Sequence, residues 1–187
     1  MKQVVLLGDS IRLGYCEMVK ERLADKAEVV FPKENCLSSQ YIIMNTAWAR
    51  LCDAERVSVV HFNCGHWDAE HFEGDAEPLT SLEEYEKNLG ILVRLLRKKF
   101  PHAKLIYATT TAMNPDYTGS VNRTTENIMR YNATGKRVMA ELGVEVNDLF
   151  DLVKDWRGEH FVDMCHMTPE GSNALAARVS DVIAKNL

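Results

Sequence analysis

Apolar runs and amphipathic stretches alternate along the whole chain. Val4-Val5-Leu6-Leu7 is a short run with no polar position, the mark of a strand buried on both faces. Leu13 to Lys26 then places Leu13, Cys16, Met18, Val19 and Leu23 at helical spacing and predicts a helix. Glu28 to Phe31 predicts a second strand, stopped by Pro32. Ser39 to Asp53, with Tyr41, Ile42, Met44, Trp48 and Leu51 apolar, predicts another helix, and Val57 to Phe62 a third strand. Ser81 is an N-cap with Glu84 three residues on, so a capping box opens a helix that runs to about Phe100, before Pro101. Ala103 to Thr109 predicts the fourth strand. Thr124 or Thr125 starts a helix that ends at Gly143, and Val144 to Val146 predicts a short fifth strand. Asp148 to about Lys154 allows one or two helical turns. Thr168 caps the last helix, with Pro169 at its first position. Two polar stretches interrupt this rhythm, Asn63 to about Thr80 and Thr110 to Arg123. Connections of that length in a compact domain are often functional.

Strands spaced by helices imply parallel units with right-handed crossovers. Five of them predict a three-layer α/β/α fold around a flavodoxin-like five-stranded parallel sheet of order 2-1-3-4-5. No repeat, low-complexity stretch or linker divides the chain, so residues 1–187 are expected to form a single domain. In open α/β sheets ligands bind at the carboxyl ends of the strands. Gly8-Asp9-Ser10 stands at that end of the first strand.

Near the other terminus stands Asp163-Met164-Cys165-His166, followed by Thr168-Pro169-Glu170-Gly171. A serine hydroxyl is too weak a nucleophile at neutral pH without an adjacent base. Ser10 is the candidate nucleophile, His166 the base, and Asp163 the group that orients the imidazole. Gly8-Asp9-Ser10-Ile11 resembles the first block of the GDSL (SGNH) hydrolases, and Asp163-x-x-His166 resembles their last block. The resemblance in layout spans essentially the whole chain. It implies ester hydrolysis through an acyl-enzyme, with no cofactor. Asp9 reads as structural, its carboxylate accepting backbone N–H groups at the start of the next helix.

The resemblance also implies three oxyanion donors: the Ser10 N–H, a backbone N–H after the second strand, and an Asn side chain after the third. The chain departs from the family at the last two. Asn35-Cys36-Leu37-Ser38-Ser39 has no glycine, so the main-chain donor falls to Ser38 or Ser39. The third block reads Asn63-Cys64-Gly65-His66-Trp67-Asp68, in which Trp67 takes the place of the usual Asn. This block resembles that of the plant polysaccharide O-acetyltransferase branch, and Asn63 is the candidate donor. Its alternative role is to cap the loop. His66 and Trp67 are candidate substrate contacts. Trp67 either stacks on a sugar ring or packs internally. Arg12, two residues past the nucleophile, meets either a substrate carboxylate or an ion pair of its own.

Charge and cysteine content narrow the partners. The net charge is −5, with no basic run, which disfavours nucleic acid and anionic membrane. No apolar stretch approaches a spanning length, and Met1-Lys2-Gln3 leads into a strand rather than a signal segment. The five cysteines form no CxxC pair, which favours reduced thiols and a cytoplasmic location. His61, Cys64, His66, Asp68 and His71 crowd one segment, but their spacing matches no metal motif and no metal is assigned. The expected substrate is a small-molecule or carbohydrate ester carrying a small acyl group, acetyl above others. Rival readings are an O-acyltransferase, a short-chain lipase or thioesterase on the same residues, and a non-catalytic carbohydrate-binding module.

Overall fold

Successive residues of the first strand, β1 (Gln3–Leu7), point to opposite faces of the sheet, and both faces are covered. The computed structural model describes residues 1–187. The other strands are β2 (Glu28–Val30), β3 (Val57–Asn63), β4 (Lys104–Ala108) and β5 (Glu145–Asn147), all parallel, in the order β2-β1-β3-β4-β5. Val4, Leu6, Val59 and Ile106 face one layer of helices. That layer is built from α1 (Ser10–Arg22), α5 (Leu149–Val153) and α6 (Pro169–Ala184), through Tyr15, Val19, Leu149, Leu175 and Val179. Val5, Leu7, Val60, Phe62 and Tyr107 face the other layer. It comprises α2 (Ser39–Met44), α3 (Leu82–Lys99) and α4 (Thr125–Glu141). This is the expected doubly covered parallel sheet.

The helices start where the sequence places their caps. Ser81 and Glu84 close the capping box of α3, whose buried face is Tyr85, Leu89, Leu92, Val93 and Leu96. Thr124 and Asn127 do the same for α4, and Thr168 with Pro169 opens α6. Two boundaries differ from the periodicity. The first helix begins at Ser10 rather than Leu13, because the Asp9 carboxylate accepts the Ile11 N–H at 3.0 Å and caps it there. The second expected helix ends at Met44. The Asn45 side chain accepts the Ala47 N–H and starts a separate 3₁₀ turn over Thr46–Arg50.

Arg12 corrects a sequence expectation. It faces neither a substrate nor a carboxylate: it is wholly buried and spends its guanidinium on main-chain carbonyls. Nη1 donates to Pro32 O at 2.8 Å, and Nη2 to Gly8 O at 3.1 Å and Glu34 O at 2.7 Å. The helical position after Ser10 and Ile11 turns this side chain inward, toward the segment that follows β2. Parallel strands end at one edge, and the carbonyls of the turns leaving that edge find no ladder partner. Arg12 supplies their donors. Gly8 O keeps the Cys36 N–H, but removing Arg12 strands the other two acceptors, Pro32 O and Glu34 O, at about 1–3 kcal/mol each if buried. Arg12→Met should therefore lose about 2 kcal/mol or more, a fall in Tm of roughly 4–8 °C for a chain of this size. Thermal and urea unfolding would measure it.

Candidate active site

Ser10 stands where β1 hands over to α1. As the first helical residue it keeps a backbone N–H with no intrahelical partner. Gly8 is required here by close approach: a Cβ on it would lie 1.9 Å from Asn63 Oδ1. His166 lies ahead of α6 on a tight loop closed by Asp163. One Asp163 oxygen, Oδ1, accepts the N–H groups of Cys165 (2.9 Å) and His166 (2.8 Å). The other, Oδ2, is 2.7 Å from His166 Nδ1, and His166 Nε2 is 2.7 Å from Ser10 Oγ. The structure thus brings Ser10, His166 and Asp163 into one hydrogen-bonded line across 156 residues of chain. Asn114 anchors the same loop, its side chain donating to Asp163 O at 3.0 Å and its N–H to Met164 O at 2.8 Å.

The charges on this line follow from its contacts. The Cys165 sulfur, 3.8 Å from Nδ1, and the Asp163 carboxylate push the His166 pKa up to about 9, against partial burial. Burial works against the Asp163 charge, but the two backbone N–H groups and the ring hold its carboxyl below the usual range. Asp9 is fully buried and raised, with the Asn63 amide, the Ile11 N–H and the charges of Arg123 and Arg12 pulling the other way.

Three N–H groups were expected to face an oxyanion, and the structure sorts the candidates after β2. The Cys36 N–H goes to Gly8 O, Leu37 N–H to Asn35 Oδ1, and Ser39 N–H to both Asp68 oxygens at 3.0–3.1 Å. Ser39 is therefore spent on Asp68, which its hydroxyl also meets at 2.5 Å. Ser38 caps α2 through its side chain, and its own N–H is left without a partner. Leu37 holds φ +49°, the left-handed conformation that glycine favours, so the turn keeps its shape without a glycine. The Asn63 side chain is buried against Gly8 and faces Asp9, with Oδ1 unbonded.

The remaining sequence candidates separate. His66 is buried below the site, Nε2 at 3.1 Å from Thr111 Oγ1 and Nδ1 accepting from Arg123 Nε at 3.2 Å. Trp67 is half-buried and lines a cavity of about 270 Å³ that includes Ser38 and Tyr41. His61 lies inside β3 and meets the Asn147 amide at 3.1 Å, while Cys64 Sγ lies 3.9 Å from the Tyr85 hydroxyl. Arg123 was missed by sequence reasoning. It is buried and joins His66, Glu70 (3.4 Å), Asn122 (2.8 Å) and the Cys165 sulfur (3.6 Å). It stands at the end of a polar loop, and no local signal marks its reach.

The model of the GDSL-like lipase/acylhydrolase family matches residues 6–174. The chain belongs to this family. The family is one of ester-hydrolysing enzymes, and both the Gly8-Asp9-Ser10 turn and the Asp163–His166 loop fall inside the match. Among curated relatives, the GDSL esterase/lipase CPRD49 of Arabidopsis thaliana is 24% identical over 94% of this chain. The chain spans 66% of that relative's length. Among solved structures, the acetyl xylan esterase AlAXEase superposes with a TM-score of 0.76 at 18% identity, covering 97% of this chain and 99% of the other. The lipase/acylhydrolase from Enterococcus faecalis gives 0.75 at 19% identity, with 98% and 95% covered. At these identities the likeness to solved structures is one of fold.

His61, His66 and His166 should be distinguishable by NMR titration. His166 should inflect near pH 9. Burial, and then the charges of Arg123 and His166, keep His66 neutral well below the usual value, and burial alone lowers His61 to about 3. Because the folded pKa of His166 is raised, the stability it adds is full below about pH 6.5 and fades as pH rises toward 9. Asp163→Asn should bring the His166 inflection down.

Proposed function

We propose that this chain hydrolyses acetyl and similarly small acyl esters carried on a carbohydrate, by serine acyl-enzyme chemistry. Ser10 Oγ attacks the ester carbonyl while His166 Nε2 takes its proton. His166 then gives that proton to the departing alcohol oxygen, leaving acyl-Ser10. Water attacks the acyl carbon as His166 takes its proton; His166 then returns that proton to Ser10 Oγ as the acyl–oxygen bond breaks, which regenerates the hydroxyl and releases the carboxylic acid. Asp163 holds Nδ1 protonated and stabilises the imidazolium. The Ser10 N–H, the Ser38 N–H and the Asn63 amide are the proposed oxyanion donors.

The observation that carries this reading is the pair of 2.7 Å contacts on the two nitrogens of one imidazole. A binding module has no need for them. The acyl size rests on a cavity of only about 40 Å³ beside Ser10 and His166, lined by Ile11, Gly14 and Leu175. A water needs ~10–15 Å³ on this measure, so the space suits a methyl group and not a long chain. The carbohydrate rests on the name of the acetyl xylan esterase that shares the fold.

Ser10→Ala should lower turnover of p-nitrophenyl acetate by as much as ~10⁶-fold and abolish labelling by a fluorophosphonate, with Tm retained. Rates on p-nitrophenyl esters should fall steeply from acetate to octanoate, and kcat/KM should climb with pH as His166 deprotonates. Retention of a tenth of the activity in Ser10→Ala would remove the nucleophile assignment.

Asn63 separates two roles. As an oxyanion donor, its replacement by Ala should cut kcat by ~10²–10³-fold, about 3–4 kcal/mol, with KM little changed. A side chain that only fills the space over Gly8 would instead cost stability and leave kcat near wild type. Measuring kcat and Tm on one preparation distinguishes them.

A further inference from the structure

A tetrahedral adduct on Ser10 has three substituents to place. The oxyanion faces the N–H donors of the Ser10 and Ser38 segments. The acyl group enters the small cavity of Ile11, Gly14 and Leu175. The leaving oxygen must face His166 Nε2, because that nitrogen returns the proton. Whatever the leaving alcohol carries therefore extends past the loop that holds His166.

A cavity of about 640 Å³ opens there. Met164, between Asp163 and His166, forms one wall, and the segments 71–75 and 120–124 form the others. Its volume lies in the range that takes ligands of drug-like size. Only three of its twelve lining residues are hydrophobic. The carboxylates of Glu73 and Asp75 offer acceptors, and the Asn127 amide, whose oxygen is spent on Thr124, offers its Nδ2 donor, the set that neutral vicinal hydroxyls need. Its one arginine, Arg123, is already engaged by His66, Glu70 and Asn122, so no free cation waits for an anionic group. Phe72 stands on the rim, 62% exposed, and can cover the apolar face of a ring. The walls are tied before any ligand arrives. His71 N–H donates to Asn122 O at 2.8 Å, and the Asn122 amide meets Glu70 Oε1 at 2.5 Å. A preformed site spends little affinity on ordering itself.

We infer that this cavity is the leaving-group subsite, and that it takes a neutral polyhydroxylated alcohol, a pyranose unit, through Glu73, Asn127 and Phe72. The inference rests on the proposed acetyl-ester chemistry. The cavity of Trp67 and Ser38 lies on the oxyanion side and is not where a protonated alcohol departs.

The test compares acetylated xylo-oligosaccharide with p-nitrophenyl acetate, which has no polyol to place. Phe72 and Glu73 make no side-chain bond within the chain, so Phe72→Ala/Glu73→Ala should fold, as Tm would verify. Val121→Trp, at a 48% exposed lining position, should fill the cavity by an independent route. In both variants the ratio of kcat/KM for the acetylated oligosaccharide to that for p-nitrophenyl acetate should fall at least tenfold, mainly through KM. The deacetylated oligosaccharide should inhibit the wild type competitively and the variants more weakly. If wild type deacetylates the oligosaccharide and both variants keep the ratio, the subsite is elsewhere and the carbohydrate reading stands. If wild type hydrolyses p-nitrophenyl acetate but no acetylated saccharide, the carbohydrate reading falls and the subsite with it.

Discussion

A guanidinium buried without a carboxylate partner holds the site end of this molecule together. Arg12 donates to Gly8 O, Pro32 O and Glu34 O, and so ties the exit of β1 to the segment that follows β2. A parallel sheet ends with all its chains leaving one edge, and their carbonyls there lack ladder partners. A hydrophobic residue at position 12 would fill the space but satisfy none of them. An arginine has five N–H donors in a fixed fork and reaches three carbonyls at once. Its charge is not idle, since it works against the rise that burial imposes on the Asp9 pKa. Asp9 in turn caps α1 and sets Ser10 as the first helical residue. The position of Ser10 therefore depends on a side chain two residues further on that points away from it.

A second arginine does for the loops what the first does for the strand ends. Arg123 links the segment after β3, through His66 and Glu70, to the loop of Cys165 and His166. These loops are long and polar, and without such a tie each would lose its fixed place over the sheet. The tie also has an electrostatic effect. Burial already lowers the His66 pKa, and the Arg123 charge against it lowers it further, so that imidazole stays neutral and acts as a hydrogen-bonding spacer. The cavity beside Met164 inherits its shape from the same contacts.

Much of the fold was legible because it rests on local pattern. Apolar runs mark strands buried on both faces, and Ser81, Thr124 and Thr168 mark helix starts whatever lies around them. The meeting of Ser10 with Asp163 and His166 was legible for a similar reason. Each stands at the end of a recognisable element, and the sheet order brings those ends to one edge. Arg12, Arg123 and Leu37 were not legible. A side chain that bonds a carbonyl or a sulfur twenty or more residues away leaves no periodic trace. Arg12 was weighed only against substrate and ion pairs, although main-chain carbonyls were the partners that needed it. Leu37 adopts a glycine-like φ that its own residue type disfavours, so only the surrounding contacts, not its identity, could reveal the turn. The break of α2 at Asn45 belongs to the same group, since apolar spacing continues across it while the backbone does not.

Three histidines show how the same residue type is given different work by its surroundings. His61 sits in the middle of the sheet, where burial alone suppresses its charge. His66 sits one layer nearer the edge, and a neighbouring guanidinium adds to the same suppression. His166 alone is partly open and has a carboxylate on one nitrogen, so its charge is favoured. Of these three, only this ring is open enough to exchange protons with a bound molecule. The competing bases are silenced by burial, and the remaining one is aimed by Asp163 at the serine that β1 and Asp9 put in place. Its raised pKa has a cost at neutral pH, where the free base is the minor form. In return the imidazole is a stronger base toward the serine hydroxyl that lies 2.7 Å from it, and its conjugate acid a correspondingly weaker donor to the departing alcohol.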